Sequence, residues 1–514
     1  MNVKELLLKQ VSSYPEKPAI IFEGQNITFA QLKGPSFRLA NYLYGARVRK
    51  PDKVALFLSN IPEAVYSYIA VFCAGLTLVP LDFMLTEEEI IDILNHCEAK
   101  ILIIQPRKDI NIMNIKNACS SLKDVIVCKE RVRGCLLWDD VLANNTEAEP
   151  KIEIKDSDIS SLFYTSGSTG NPKGVMLSYK HLDNPVDTIN HFLGVSDKDI
   201  FLTGGVPFSH IGGLDYILLM LRFASTMVLM ERFHPLEFLK NIEKYKVTIF
   251  CIVPAMYVAI LSLKEYDYYE LASLRYAVVF GAPSSPELLK KFHRSCPKAI
   301  LLNGWGMTET AAPNTYSPPD GKAIDSIGSF GFRMDAKVVD DKGNKLLYGE
   351  TGELLVKGDG VMVCYYKAPQ MTQAVLTGDG WLKTGDVAYC KEGLFYLVGR
   401  KKDMIKVAGE IVFSAEVEEK MQRHPNIKEV AVIGLPDELR GEVPKAFIVT
   451  KDGEPIALDE LKEFLKVHLA HFKIPHYFEY VKELPKNRVG KIDKTKLIAA
   501  NTRKTKRENS AGSV

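Results

Sequence analysis

The sequence predicts an α/β protein: a large N-terminal domain of layered α/β subdomains with a β-barrel-like portion, followed by a small α+β lid. Three observations carry that prediction. First, short runs of branched apolar residues, Val54 to Leu58, Ile101 to Ile104, Val247 to Val253 and Tyr276 to Phe280, alternate with helical patterns, as expected of strands layered with helices. Second, after Asp335 the texture changes to short strands separated by Gly and Asp, as in Asp340-Asp341-Lys342-Gly343 and then Gly352 to Lys357. Third, the stretch from Met404 to about Leu497 mixes helical patterns at Ala415 to Arg423 and Leu458 to Leu469 with strands at Glu429 to Gly434 and Lys445 to Val449, an α+β unit of about 100 residues.

Individual elements follow from local chemistry. Thr86 and Glu89 form a capping-box pattern ahead of Ile90, Ile91, Ile93 and Leu94, which fall on one helical face. A second helix runs from Pro286 through Leu288, Leu289 and Phe292. The polar stretch Gly399-Arg400-Lys401-Lys402-Asp403 follows the apolar Phe395 to Val398 and marks a domain boundary. The chain is therefore divided into residues 1–399, a lid over residues 400–500 and a tail over residues 501–514. That tail carries Arg503, Lys504, Lys506 and Arg507 with almost no large apolar side chain, and is expected to be disordered.

Composition removes several classes of function. A chain of 514 residues is too long for one core and suggests roughly three structural units of about 150 residues. Lys and Arg number 65 against 63 Asp and Glu, a net charge of +2, so nothing global argues for nucleic acid. The nine cysteines, at positions 73, 97, 119, 128, 135, 251, 296, 364 and 390, contain no Cys-x-x-Cys pair; reduced thiols in a cytoplasmic enzyme fit better than a disulfide or zinc framework. The segment Met1 to Gln10 lacks a long apolar core, so no signal peptide is expected. The longest apolar window, Ile211 to Leu221, is short and contains Asp215, so no transmembrane span is expected and any membrane contact is peripheral.

Residues 164 to 175 read Tyr-Thr-Ser-Gly-Ser-Thr-Gly-Asn-Pro-Lys-Gly-Val after the apolar Leu162 and Phe163. Such a loop suits phosphates. Gly167 and Gly170 let backbone N–H groups face an anion, Thr165, Ser166, Ser168 and Thr169 add hydroxyl donors, and Lys173 adds a full positive charge. It is not a Walker loop, because Pro172 stands where the second glycine belongs and Gly174 follows the lysine.

This loop resembles the phosphate-binding signature of the adenylate-forming superfamily, which includes acyl-CoA synthetases, aryl-CoA ligases, firefly-type luciferases and peptide-synthetase adenylation domains. Four further motifs in the same order support the resemblance from about residue 15 to about residue 498. Asn303-Gly304-Trp305-Gly306-Met307-Thr308-Glu309-Thr310 resembles the family's Tyr-Gly-Met-Thr-Glu segment, with Trp305 in place of tyrosine. By that resemblance Trp305 stacks on adenine, Thr308 contacts the α-phosphate and Glu309 holds Mg²⁺, for which a carboxylate is the expected hard ligand. Trp381-Leu382-Lys383-Thr384-Gly385-Asp386 ends in the aspartate that accepts both ribose hydroxyls in the family, and Arg400 resembles the arginine that also reaches the ribose. In Leu484-Pro485-Lys486-Asn487-Arg488-Val489-Gly490-Lys491-Ile492, Lys491 matches the family's C-terminal lysine. An ammonium there bridges carboxylate and α-phosphate and neutralises charge as it develops.

The resemblance further implies two half-reactions separated by rotation of the lid, with Lys402 at the hinge position where some relatives have aspartate. Lys406-Val407-Ala408-Gly409-Glu410 resembles the loop that helps form the pantetheine tunnel, so Ala408 and Gly409 are the CoA-binding candidates. Gly281, Ala282 and Pro283 are expected to line the junction of adenine and acyl sites. The segment Val206-Pro207-Phe208-Ser209-His210-Ile211-Gly212-Gly213-Leu214 matches the acyl-pocket segment, with His210 at the gate. Pro207 and Phe208 stand where amino-acid-activating relatives have Phe-Asp, and Ile217 to Leu221 is apolar. An amino-acid substrate would lack its counter-charge.

The expectation is thus an ATP-dependent acyl-CoA ligase that uses ATP, Mg²⁺ and CoA and releases AMP and pyrophosphate, with a medium- or long-chain fatty acid as first candidate substrate and an aryl acid as second. Loading of a separate carrier protein, a luciferase-like oxygenase and a catalytically silent acyl- or nucleotide-binding protein are the rival readings. Retention of Lys173, Glu309, Asp386, Arg400 and Lys491 argues against the last of these.

Overall fold

The computed structural model describes residues 1–165, 173–281, 286–408, 410–437, 439–486 and 492–501. Contacts group Met1–Ala336 with Val356–Leu382 as one compact unit, and Lys337–Leu355 with the chain from Lys383 onward as a second. The boundary read from sequence at 399/400 falls inside the second unit, at the end of the strand Leu394–Arg400.

Two eight-stranded sheets dominate the first unit. In one the order is Thr315–Tyr316, Ile300–Trp305, Tyr276–Val279, Ile249–Ile252, Ile200–Leu202, Thr226–Leu229, Pro18–Phe22 and Gln25–Thr28. Its six interior strands are parallel and each outer strand is antiparallel to its neighbour. In the other the order is Cys364–Tyr365, Lys173–Ser178, Ile159–Thr165, Thr77–Pro80, Lys53–Phe57, Ile101–Ile104, Asp124–Val127 and Leu136–Leu137. Here the strands from Ile159–Thr165 through Leu136–Leu137 are parallel, and the two at the opposite edge are antiparallel. The parallel strands read as continuous apolar runs such as Ile101-Leu102-Ile103-Ile104 because helices cover both faces.

Helices form where the sequence signals them. Thr86 caps Glu87–Cys97 through a reciprocal bond with Glu89, and Ile90, Ile93 and Leu94 are buried while Ile91 is half-buried. Pro286–His293 buries Leu289 and Phe292. Phe292 meets Phe250 and Tyr257 edge-on at 5.9 and 5.1 Å, giving this layer an interlocked aromatic core. Ile211–Phe223 is buried nearly all round from Gly213 to Leu221, which explains its uninterrupted apolar sequence.

The portion read as barrel-like is an open sheet among the described residues. Its four strands run in the order Met334–Val339, Gly352–Gly358, Leu382–Lys391 and Leu394–Arg400. Four strands are too few to close, since about eight are needed for an interior just filled by side chains. The rest of the second unit is a five-stranded sheet of Glu410–Phe413, Met404–Val407, Gly441–Thr450, Ile427–Asp437 and Tyr477–Tyr480. The helices Ser414–Gln422 and Leu458–His468 bury Val417, Met421, Leu461 and Leu465 in a common core with Val430, Val432, Ala446 and Ile448 of that sheet.

Candidate active site

The strands that flank the phosphate-loop motif pair with each other. Ile159–Thr165 and Lys173–Ser178 pair antiparallel from Ile159 opposite Ser178 to Thr165 opposite Lys173. The sequence between them, with Ser166, Gly167, Ser168, Thr169 and Gly170, lies outside the described residues. Gly174 has a packing reason: a Cβ there would sit 2.8 Å from Leu162 Cδ1.

Lys173 and Glu309, 136 positions apart by their numbering, are brought to one residue the sequence gave no reason to select, Tyr365. The short strand Cys364–Tyr365 lies against Lys173–Ser178, with Tyr365 opposite Val175. Lys173 Nζ stands 5.3 Å from the centre of the Tyr365 ring, a cation–π distance. The Tyr365 hydroxyl donates to Glu309 Oε1 at 2.8 Å, and both side chains are buried. Burial and the Glu309 charge push the Tyr365 phenol far up, so it stays a neutral donor. Glu309 itself sits in a single 3-10 turn, Thr308–Thr310, directly after the strand Ile300–Trp305 and Gly306-Met307. Thr308, half-buried, opens that turn.

Several bonds hold this turn against the Tyr365 segment. Met362 N–H donates to Glu309 O at 2.9 Å, and Asn184 Nδ2 donates to Ala311 O at 3.1 Å. His181 accepts the Ser178 N–H at Nδ1, 3.0 Å away, which leaves Nε2 as the nitrogen that donates to Val361 O at 2.7 Å. Burial lowers the His181 pKa, favouring that neutral form.

Loops from the first eight-stranded sheet supply further candidates within this unit. Val279 and Asn303 are register partners on parallel strands, so Gly281, at φ +87°, just past the end of one strand, and Trp305, the last residue of the other, both lie at the C-terminal ends of adjacent strands. That edge of an open α/β sheet is where ligands bind. Trp305 is 5% exposed and meets Phe330 edge-on at 5.5 Å. Ala282 and Pro283 lie outside the described residues. His210 caps the helix Ile211–Phe223, and its Nε2 lies 3.6 Å from Asp82 Oδ2. Asp82 follows the strand Thr77–Pro80 and had no sequence signal of its own. Asn60 pins the preceding loop by donating to Val206 O at 2.7 Å and accepting from Phe208 N–H at 3.0 Å.

The second unit brings Asp386 and Arg400 together. They are register partners on adjacent antiparallel strands, and Arg400 Nε lies 2.8 Å from Asp386 Oδ1. Asp386 is buried and its N–H donates to Thr384 Oγ1 at 3.0 Å, so the carboxylate sits on a fixed backbone beside a half-exposed guanidinium. Lys402 is exposed within the 3-10 turn Lys401–Asp403. Ala408 is exposed at φ +50° and follows the strand Met404–Val407, whose ladder with Glu410–Phe413 ends at Val407 opposite Glu410. Gly409 and Lys491 lie outside the described residues. The flanks of Lys491 are anchored: Lys486 and Ile492 form an antiparallel bridge. Lys486 pairs with Glu429 at 2.6 Å, and Lys494 with the half-buried Glu418 at 2.8 Å.

Among the described residues no group of three or more His, Cys, Asp or Glu side chains could hold a metal ion. One carboxylate, Glu309, fits an ion that arrives coordinated by phosphates and needs only one or two protein oxygens, which is the habit of Mg²⁺. All nine cysteines are free thiols. No described helix is long and apolar enough to cross a membrane.

The sequence matches the AMP-binding enzyme family over residues 7–366 and the AMP-binding enzyme C-terminal domain over residues 416–491. A long-chain-fatty-acid–CoA ligase of Bacillus subtilis (strain 168) is 33% identical, over 98% of this chain and 95% of its own. A 4-coumarate–CoA ligase 2 of Nicotiana tabacum is 31% identical, over 96% and 93%. The crystal structure of the anthranilate CoA ligase AuaEII in complex with anthranoyl-AMP superimposes with a TM-score of 0.92 at 27% identity, covering 98% of each chain. With matched family models spanning most of the sequence and relatives above 30% identity along nearly its whole length, the chain belongs to the AMP-binding family of adenylate-forming CoA ligases.

Proposed function

We propose that the chain joins a carboxylic acid of largely apolar body to CoA at the expense of ATP, with a medium- or long-chain fatty acid as first candidate and an aryl acid as second. One observation carries the reading: the hairpin lysine Lys173 and the turn carboxylate Glu309 converge on Tyr365. A cation for phosphate oxygens and an acid for their counter-ion then stand on one tyrosine, whose own proton is locked in a bond to the acid.

In the first step a carboxylate oxygen of the acid attacks the α-phosphorus of ATP, the bond to the β,γ-diphosphate breaks, and acyl-AMP and pyrophosphate form. Lys173 and the hairpin donors hold the leaving diphosphate, Thr308 donates to the α-phosphate, and Lys491 neutralises the charge that gathers between the anions. Glu309 would hold Mg²⁺ arriving with the triphosphate, and the ion would supply charge withdrawal there. Trp305 and Gly281 flank the base, while Asp386 and Arg400 orient the ribose. In the second step the thiol sulfur attacks the acyl carbon, its proton leaves, and the bond to AMP breaks; Lys402 is the hinge between the two steps and Ala408 with Gly409 borders the pantetheine. No protein nucleophile is needed.

The test is mass spectrometry of purified protein with ATP, Mg²⁺, CoA and fatty, aryl and amino acids, beside Glu309→Gln and Lys491→Ala. Acyl-CoA and AMP from apolar acids, lost in both variants, support the ligase. Adenylate without thioester would move the acceptor to a carrier protein, and no turnover with any acid would refute the reading.

A further inference from the structure

Lysines stand in a row where three strands of the second eight-stranded sheet begin. Val54, Ile101 and Asp124 are register partners along the parallel strands Lys53–Phe57, Ile101–Ile104 and Asp124–Val127, so Lys53, Lys100 and Lys123, each one residue earlier, lie side by side. The backbone continues that register: Lys100 N–H donates to Lys53 O at 2.9 Å, and Lys123 N–H to Lys100 O at 2.8 Å. Neighbouring strands are about 4.8 Å apart. All three lysines share the face on which Ala55, Leu102 and Val125, two residues further along, are buried in one core. The row is the rim of that core, with Lys53 and Lys100 half-buried and Lys123 exposed.

Like charges side by side on one face of a sheet destabilise it, and a glutamate at the middle position would relieve both neighbours. Folding alone gives no reason for three cations here. The lysines turn to neutral groups instead, Lys53 donating to the Tyr366 hydroxyl at 3.1 Å and Lys123 to Arg47 O at 2.9 Å. Nearby carboxylates are engaged elsewhere. Glu98 pairs with Lys367 at 2.9 Å, Asp52 accepts the Arg49 N–H at 3.0 Å, and Asp124, on the other face, accepts the Tyr42 hydroxyl at 2.9 Å. Lys367 holds the Glu98 carboxyl below its usual range, and Lys53 and Lys100 add to that effect, so one acid faces three cations. Beyond Lys123 the charge continues through Arg47 and Arg49, both exposed. These six cations against three carboxylates leave a local charge of +3, larger than the +2 of the whole chain.

We propose that this face docks the protein reversibly on an anionic lipid bilayer. The backbone groups of the row are already bonded across the strands, so a peptide could not add here as a further strand; what the face presents is the tips of long cationic side chains. Attraction of that kind needs no fixed donor geometry and suits a fluid layer of phosphates, to which each Lys or Arg near the surface contributes. Tyr44, 53% exposed, supplies an amphipathic ring of the sort that sits at headgroup level. Its face is covered by the Arg49 guanidinium at 4.2 Å, which removes the stacking platform that single-stranded nucleic acid uses. A bilayer is also where a long apolar acid resides, so docking shortens the path of the substrate proposed above; this last point alone rests on the ligase reading.

The experiment is flotation of the purified protein, without ATP or acid, on vesicles of phosphatidylcholine alone or with about 30 mol% phosphatidylglycerol, at about 0.05 and 0.5 M salt. Wild-type protein should float with the anionic vesicles at low salt, be released at high salt and ignore the neutral ones. Arg47→Gln, Lys100→Gln and Lys123→Gln combined should weaken partitioning about 100-fold. Removing the same charge from Lys244, Lys264 and Lys298, exposed elsewhere in the unit, should change it little. Failure to float, equal binding to neutral vesicles, or equal losses in the two triple variants overturns the inference. So does a short DNA duplex bound as tightly as the anionic vesicles, which would make the face a general polyanion surface. If thermal unfolding shows that the first triple variant does not fold, Lys123→Glu alone decides by the same comparison. Vesicle binding without turnover of any acid would refute the ligase reading and leave the docking face standing.

Discussion

Replacing Tyr365 by phenylalanine removes a single oxygen at the point where Lys173 and Glu309 converge. Its hydroxyl donates to Glu309 Oε1 at 2.8 Å from a buried position. A hydrogen bond to a charged acceptor is worth about 1.5 to 3 kcal/mol, which converts to roughly 10- to 150-fold in kcat/KM if the carboxylate must keep its orientation to act. The phenyl ring preserves the face that Lys173 approaches at 5.3 Å. Tyr365→Leu removes that face as well and should add about 0.5 to 2 kcal/mol. The assay is ATP–pyrophosphate exchange at limiting and saturating Mg²⁺, with thermal unfolding measured in parallel. The phenylalanine variant should lose most at limiting Mg²⁺, because a misdirected carboxylate holds the ion less well. If a folded Tyr365→Phe keeps more than about half of wild-type exchange at both Mg²⁺ levels, the tyrosine is packing only and the argument for this cluster is wrong.

Three further outcomes are expected. Asp386→Asn keeps the volume but loses the charge that faces Arg400 Nε at 2.8 Å; ATP-dependent kinetics should show KM for ATP raised about tenfold or more, as for one lost charged bond, and an unchanged KM would remove Asp386 from the nucleotide site. The His181 pKa is lowered from its ordinary 6.5 by burial, so the unfolded chain binds the extra proton more readily. Its stabilising contribution is complete above pH 6.5 and is lost as pH falls through the window below it; urea unfolding from pH 7.5 to 5 should show that loss, and His181→Gln should flatten it. A Cβ on Gly213 would fall 2.4 Å from Pro207 O and 2.6 Å from Phe208 Cα, so Gly213→Ala should lower stability by about 1 to 3 kcal/mol and disturb the His210 loop, whereas Gly212→Ala, with nothing nearer than 3.9 Å, should not.

What was legible in the sequence was local. The Thr86 capping box and the helix from Pro286 each depend on residues a few positions apart. Asp386 and Arg400 were selected separately by motif, and a single antiparallel pairing makes them neighbours. Tyr365 and Asp82 were invisible for the opposite reason. Neither stands in a distinctive local pattern, and each reaches the site by a pairing of remote strands or loops. The barrel-like portion is an open sheet: Gly- and Asp-punctuated strands indicate short antiparallel pieces but not how many join, and closure is decided by that number. Asp215 was read only as an interruption of an apolar window; that its Oδ1 finds no hydrogen-bond partner among the described residues is a property of the packed helix and no sequence pattern contains it.

The short strand Cys364–Tyr365 has a consequence for how the chain is made. It covers the outer edge of Lys173–Ser178, and the ladder neighbours Met176 and Cys364 are 188 residues apart. At about 5 to 20 residues per second, translation leaves roughly 10 to 40 s during which that edge is synthesised but uncapped. An uncapped edge is a template for pairing with other chains, so a product ending before residue 364 would both lack Tyr365 and expose an adhesive strand. The strand that brings the Tyr365 hydroxyl to Glu309 thus also caps the edge of the sheet, so both contacts wait for the same late stretch of chain.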